Sequence, residues 1–253
     1  MCLAPSALGG MCLALSALAL AGCGGVELRT EGSEPLVREV GVGARAAYVL
    51  RPPDAPARRP LPTVVFLHGW TAVSPKQYGG WLLHLLAGGH QVVFPVYQEP
   101  PFIGLDGVLA DAAEGVHAAL RRAPADQDDV VVAGHSAGGA LAADLAAGAR
   151  ALGLPRPRAV FAAYPGRSIL GLPALLPERD PRTTPRGTTV VALAGTEDVV
   201  VGTRWARRIA RAVPGGRFVL VRDPEVADHL APQREDAAAR RTFWARLDAL
   251  LSR

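Results

Sequence analysis

From about Leu36 onward the chain alternates short, unbroken apolar runs with longer segments in which apolar residues recur every three or four positions. The runs are TVVFLHG from Thr63, QVVFPVY from Gln91, DVVVAG from Asp129, RAVFAAY from Arg158, TTVVALAG from Thr188 and RFVLVRD from Arg217. Strands with one wetted face alternate polar and apolar residues; runs without that alternation belong to strands covered on both faces, as in a parallel sheet. The intervening segments predict helices over Lys76 to Ala87, Gly107 to Arg122, Ala137 to Leu152 and Thr203 to Ala212, with a last amphipathic helix from about Gln233 to Leu251. Residues 36–51 predict a pair of short edge strands, and Arg51 to Pro62 a proline-broken loop. The expected fold class is therefore α/β: an open, mostly parallel sheet with helices on both faces and no separate cap domain, spanning residues 36–253.

One interval breaks the rhythm. Gly166 to Gly187 carries prolines in no helical period, which predicts a long loop over the carboxyl ends of the strands. Such a loop is either a lid or pocket wall, or a plain surface excursion.

Composition narrows the function classes. A chain of 253 residues with 49% hydrophobic content can bury a sizeable core and is not disordered. The net charge of +4 comes from scattered arginines, and RRIAR from Arg207 lacks the interleaved aromatics of a nucleic-acid site, so a solvated helix face is expected and no nucleic-acid partner. Cys2, Cys12 and Cys23 all lie near the start, leaving nothing for a disulfide framework or a cysteine zinc site in the rest of the chain.

Residues 1–26 carry no charged side chain, and Met11 to Cys23 reads as the apolar and cleavage regions of an export signal. LAGC, Leu20 to Cys23, resembles the lipobox of bacterial lipoproteins. The resemblance implies a signal peptide over 1–22, acylation of Cys23, a flexible tether over 23–35, and attachment to a membrane of the bacterial cell envelope. Each buried acyl methylene adds roughly 0.8 kcal/mol, so several chains anchor firmly. The segment before the apolar run has no Lys or Arg, so initiation at Met11 and an uncleaved apolar anchor remain open.

The chemistry gathers around Gly134-His135-Ser136-Ala137-Gly138, a G-x-S-x-G pentad. By itself the pattern is weak in so glycine-rich a chain. Its context is stronger, because a valine strand precedes it and an alanine-rich helix follows, the setting of a nucleophile elbow. A serine hydroxyl is a weak nucleophile and needs a base. His229 is the sole histidine after Ser136 and stands between the last strand and the last helix. Candidate acids are Asp198 in the loop after Gly195, its neighbour Glu197, and Asp228 directly before His229, with Asp144 and Asp180 less well positioned.

This succession resembles the alpha/beta-hydrolase superfamily, along roughly Leu36 to Arg253. Members commonly place an aspartate three residues after a strand-terminal glycine, which favours Asp198. His68-Gly69-Trp70 resembles the family's H-G-x element, so the resemblance implies an oxyanion hole made by the Trp70 and Ala137 amides. The Trp70 indole, Tyr97, Gln98 and Tyr164 are candidate pocket residues. The short HGW form and the missing cap are similar to the dienelactone-hydrolase, chlorophyllase-like and cutinase-like esterase groups, although dienelactone hydrolases use cysteine where Ser136 stands. The implied activity is cleavage of a small-molecule or lipid ester through an acyl-serine, with no metal or organic cofactor. Peptidase or amidase activity on the same triad, or a lipid-anchored binding protein that has lost turnover, are the alternatives.

Overall fold

A computed structural model describes residues 27–28, 36–56, 58–100, 107–168 and 176–252; the signal and acylation readings, Cys23 included, lie outside them. The strands are β1 Glu27–Leu28, β2 Leu36–Val40, β3 Ala47–Arg51, β4 Leu61–Leu67, β5 Gln91–Pro95, β6 Ala125–His135, β7 Ala159–Ala163, β8 Thr189–Gly195 and β9 Arg217–Val221. They form one sheet in the order β1-β2-β3-β5-β4-β6-β7-β8-β9. From β5 to β9 every pairing is parallel, and β1 to β3 join antiparallel at one side. The expected pair of short strands forms, but neither is the edge of the sheet, since β2 lies between β1 and β3. β3 is internal, because it also pairs with β5, and its Ala47, Val49 and Leu50 are buried.

The helices are α1 Gly79–Ala87, α2 Val108–Arg122, α3 Ala137–Gly148, α4 Arg204–Ala212, α5 Ala237–Ala239 and α6 Ala245–Leu251. Three differ from the sequence expectation in their outlines. A 3-10 turn over Pro75–Tyr78 precedes α1, capped by Ser74 and followed by the pair Gly79-Gly80, so the segment expected from Lys76 divides at Tyr78. The last helix begins as a 3-10 turn at Ala231–Gln233, restarts under an Asp236 cap whose carboxylate accepts the Ala239 amide at 2.9 Å, and passes through a π turn over Arg240–Trp244. α3 ends at Gly148 rather than Leu152, and Gly153, at φ +66°, lets the Leu154 amide turn back to the Ala149 carbonyl at 2.9 Å.

The unbroken apolar strands do have two cores to serve. On β4, Val65 and Leu67 enter a cluster with α2, α3 and α4, while Val64 and Phe66 enter a second cluster with Trp81 and Leu85 of α1 and Phe243 and Leu247 of the C-terminal helices. α3 is buried nearly all round, which explains why its sequence is alanine, leucine and glycine with almost no polar face. Its exception is Asp144. Both carboxylate oxygens receive Arg167 guanidinium donors, at 2.6 and 2.8 Å, and the Arg179 amide adds a third bond at 3.0 Å. The two side chains are each 1% exposed. Arg167 also donates to the Pro177 carbonyl, and its own carbonyl accepts the Leu176 amide at 3.2 Å. The proline-broken interval is thus pinned at its neck to the helix that carries Ser136.

A buried ion pair contributes little net stability, but losing one partner strands the other charge in low dielectric. Arg167→Leu is expected to lower unfolding stability by about 3–5 kcal/mol in urea titrations. The double replacement Arg167→Leu with Asp144→Leu should recover most of that loss.

Candidate active site

The sheet order sets the location. β4 lies between β5 and β6, so the connection from β4 to β5 and the one from β5 to β6 run in opposite directions, the switch point at which open α/β sheets place their sites, outside the carboxyl ends of the strands. His68-Gly69-Trp70 follows β4, and Ser136 follows β6.

Ser136 is the single residue between β6 and α3, at φ 56° and ψ −123°. A non-glycine residue at positive φ is strained, and surrounding structure must hold it there. Its amide donates to the Ala163 carbonyl at 3.0 Å, and its carbonyl accepts the amides of Ala140 at 3.1 Å and Gly166 at 3.0 Å. The flanking glycines are required by space. A Cβ on Gly134 would meet the Gly138 carbonyl oxygen at 2.3 Å, and one on Gly138 would meet the Leu67 oxygen at 2.1 Å. Strand, turn and helix can approach this closely only without side chains at both positions.

His229 Nε2 is 2.9 Å from Ser136 Oγ, and His229 Nδ1 is 2.8 Å from Asp198 Oδ2. The hydroxyl donates to Nε2 and the Nδ1–H donates to the carboxylate, which fixes the tautomer that can take the serine proton. Asp198 has a fully buried side chain, and its Oδ1 accepts the amides of Val200 at 3.0 Å and Val201 at 3.1 Å. That leaves one oxygen for the imidazole. Gly195, at the end of β8, lets this loop reach His229's segment, since a Cβ there would strike the Ala227 oxygen at 1.9 Å.

The other acids are elsewhere. Glu197 is exposed, Asp228 pairs with Arg234 at 2.7 Å, Asp180 pairs with Arg182 at 2.7 Å, and Asp144 is the buried partner of Arg167.

Beside the serine, a Cβ built on Gly69 would come 3.5 Å from Ser136 Cβ, so the HGW turn lies against the nucleophile. The Ala137 amide opens α3 and has no intrahelical acceptor. The Trp70 amide takes no partner among the described residues, and the indole is half-buried. Two candidate pocket residues play a different part. Tyr97 and Tyr164 are 1% and 0% exposed, and their hydroxyls donate to the carbonyls of His68 and Val226. They brace strand ends and offer no face to a substrate. Gln98 is buried too, and its Oε1 accepts the Thr71 amide at 2.9 Å, steadying the HGW turn.

Sequence reasoning did not single out Tyr78, His135 as more than a letter of the pentad, or the Val200 and Val201 amides. No spacing rule reaches Tyr78 and His135, because each acts through a contact between distant segments, and the Val200 and Val201 amides are main-chain donors of the Asp198 loop that no side-chain pattern marks. His135 is 2% exposed, and burial, with His229 nearby, pushes its imidazole down to about 3.

The alpha/beta hydrolase fold family model matches residues 64–209, more than half of the chain. The protein belongs to the alpha/beta-hydrolase fold family. Solved structures agree in fold with this chain. A protein described as a dienelactone hydrolase from Klebsiella pneumoniae is 18% identical, with 91% of this chain and 98% of that one covered at a TM-score of 0.61. Carboxyl esterase 2 from the mycorrhizal fungus Tuber melanosporum is 17% identical, covering 89% and 88% at 0.62. Esterase B from Lactobacillus rhamnosis, in a complex with a tributyrin phosphonate, is 19% identical, covering 83% and 82% at 0.60. No curated protein sequence matches the chain.

The depressed His135 carries a stability consequence. Below the ordinary value of 6.5 the unfolded chain takes up a proton at this position, whereas the folded protein does so only near 3. Stability is therefore lost as pH falls between those values, by up to about 1.4 kcal/mol per pH unit from this group. Urea midpoints of wild type and His135→Asn, measured from pH 7 to 5, should show a shallower decline in the variant.

Proposed function

We propose that the protein is a serine carboxylesterase. The observation that carries the reading is the continuous Ser136–His229–Asp198 hydrogen-bond chain at a strained strand-to-helix turn. The fold family supports it, and similarly folded solved structures include the Tuber melanosporum carboxyl esterase and the Lactobacillus rhamnosis esterase in its phosphonate complex.

Ser136 Oγ attacks the ester carbonyl while His229 Nε2 takes its proton, and Asp198 stabilises the imidazolium that forms. The carbonyl oxygen becomes an oxyanion received by the Ala137 and Trp70 amides, each worth about 3–4 kcal/mol in the transition state. Collapse expels the alcohol, which receives the proton from His229. Water, activated by the same histidine, then hydrolyses the acyl-serine. The oxyanion donors are backbone amides fixed by the fold, so they need no rearrangement as charge develops.

The proposed setting is a bacterial envelope membrane, with Cys23 acylated and residues 23–35 as the link to it, of which Glu27–Leu28 pair with β2. The LAGC sequence supports it.

A fluorophosphonate probe and p-nitrophenyl esters of graded acyl length test the chemistry. Ser136→Ala should abolish labelling and lower kcat by about 10⁴-fold or more, and Asp198→Asn should lower it by about 10⁴-fold. Folded wild-type protein that neither labels nor turns over any ester would instead support a binding role. Mass spectrometry of the mature protein should find an acylated Cys23 as the first residue, and an unmodified Met1 would count against the anchor.

A further inference from the structure

Behind the nucleophile lies a set of buried polar contacts that the reaction itself does not use. Tyr78, 1% exposed, comes from the 3-10 turn before α1, and its hydroxyl oxygen accepts the Gly69 amide at 2.8 Å. The same hydroxyl is 3.0 Å from His135 Nδ1. On the other side of that ring, His135 Nε2 is 2.9 Å from the backbone carbonyl of His229.

The directions of these bonds are determined. A carbonyl can only accept, so His135 Nε2 carries the proton and donates to His229. In the neutral ring Nδ1 is then an acceptor, and the Tyr78 O–H donates to it. The Tyr78 oxygen in turn accepts from Gly69. Every donor in the series has one acceptor, and no alternative tautomer satisfies all three contacts. Gly69 also packs directly on the series: a Cβ there would lie 3.2 Å from the Tyr78 hydroxyl and 3.3 Å from His135 Nδ1.

The two ends of this series are the segments that must be in register for acyl transfer. Gly69 immediately precedes Trp70, the proposed oxyanion donor, and His229 is the proposed base. We infer that Tyr78 and His135 are positioning residues that tie the oxyanion turn to the backbone of the catalytic histidine, through the series Gly69 N–H to Tyr78 O–H to His135 Nδ1, and His135 Nε2–H to His229 C=O. Neither side chain touches the reacting atoms. His229's ring is held by Asp198 and Ser136, while its main chain is held by His135, so the imidazole has fixed points at both ends of the residue. A base and an oxyanion donor held by one rigid series keep their separation when substrate enters. Misplacement by about 1 Å can cost on the order of 100-fold in rate.

This inference rests on the esterase reading for its kinetic arm only. In the full chain, Tyr78→Phe removes the hydroxyl while keeping the ring. His135→Asn keeps an acceptor near Tyr78 and removes the donor to His229. Each should lower kcat by about 10- to 100-fold with KM within about threefold, because positioning for the transition state is lost and ground-state binding is not. The two breaks lie in series, so the double variant should be no slower than the slower single. Losses that multiply, or Tyr78→Phe at wild-type kcat, would overturn the relay.

A second measurement needs no variant and no turnover. Nitrogen-15 NMR of the histidine rings in wild-type protein should find His135 neutral, protonated at Nε2, with a hydrogen-bonded acceptor at Nδ1. An Nδ1–H tautomer or an imidazolium at neutral pH would sink the proposal. Wild-type protein that fails to react with fluorophosphonate would refute the esterase reading while leaving this NMR result to decide the relay.

Discussion

The site depends on one close approach of backbone to backbone. The end of β6 and the start of α3 press against the end of β4 so tightly that carbonyl oxygens occupy the volume where side chains of residues 134 and 138 would begin. That contact forces the turn at Ser136 into positive φ, lifts its Oγ out of the sheet edge, and puts Gly69 against the serine. The strain at one residue is modest, about 1–3 kcal/mol. It is offset by the buried alanine and leucine surface of α3, which can seat this deeply because its side chains are small.

Around that contact, three loops from distant parts of the chain add directional polar bonds to their apolar packing. Asp198 is held by two amides of its own loop, the HGW turn by Tyr78 and Gln98, and the His229 segment by the imidazole of His135. Apolar contacts are non-directional and tolerate small shifts; hydrogen bonds of 2.8 to 3.1 Å do not. The division suits a reaction in which atoms must meet within tenths of an ångström.

Much of this was legible in the sequence. The unbroken runs from Thr63, Gln91, Asp129, Arg158, Thr188 and Arg217 are the parallel strands, since strands with a helix layer on each face have no polar side to display. Ser136 and His229 stood out through the pentad and the scarcity of histidine, and Asp198 through its distance from Gly195. Tyr97 and Tyr164 misled because a tyrosine at a strand end can either line a crevice or bond the main chain beneath it, and only their carbonyl partners decide which. Tyr78 was invisible for a related reason. It reads as part of a helix, yet its hydroxyl serves residues 9 and 57 positions away.

The neck at Arg167 has a consequence for how the fold tolerates change. Gly166 is bonded to the nucleophile's carbonyl, Arg167 is locked into α3, and the Leu176 amide closes back on the Arg167 carbonyl. The two ends of the excursion are thus stapled to each other and to the scaffold before the intervening chain begins. Whatever sequence is inserted there can lengthen, shorten or change character without a mechanical path to the triad. The register of the three side chains is therefore set by the neck itself and not by the length or composition of whatever joins its two ends.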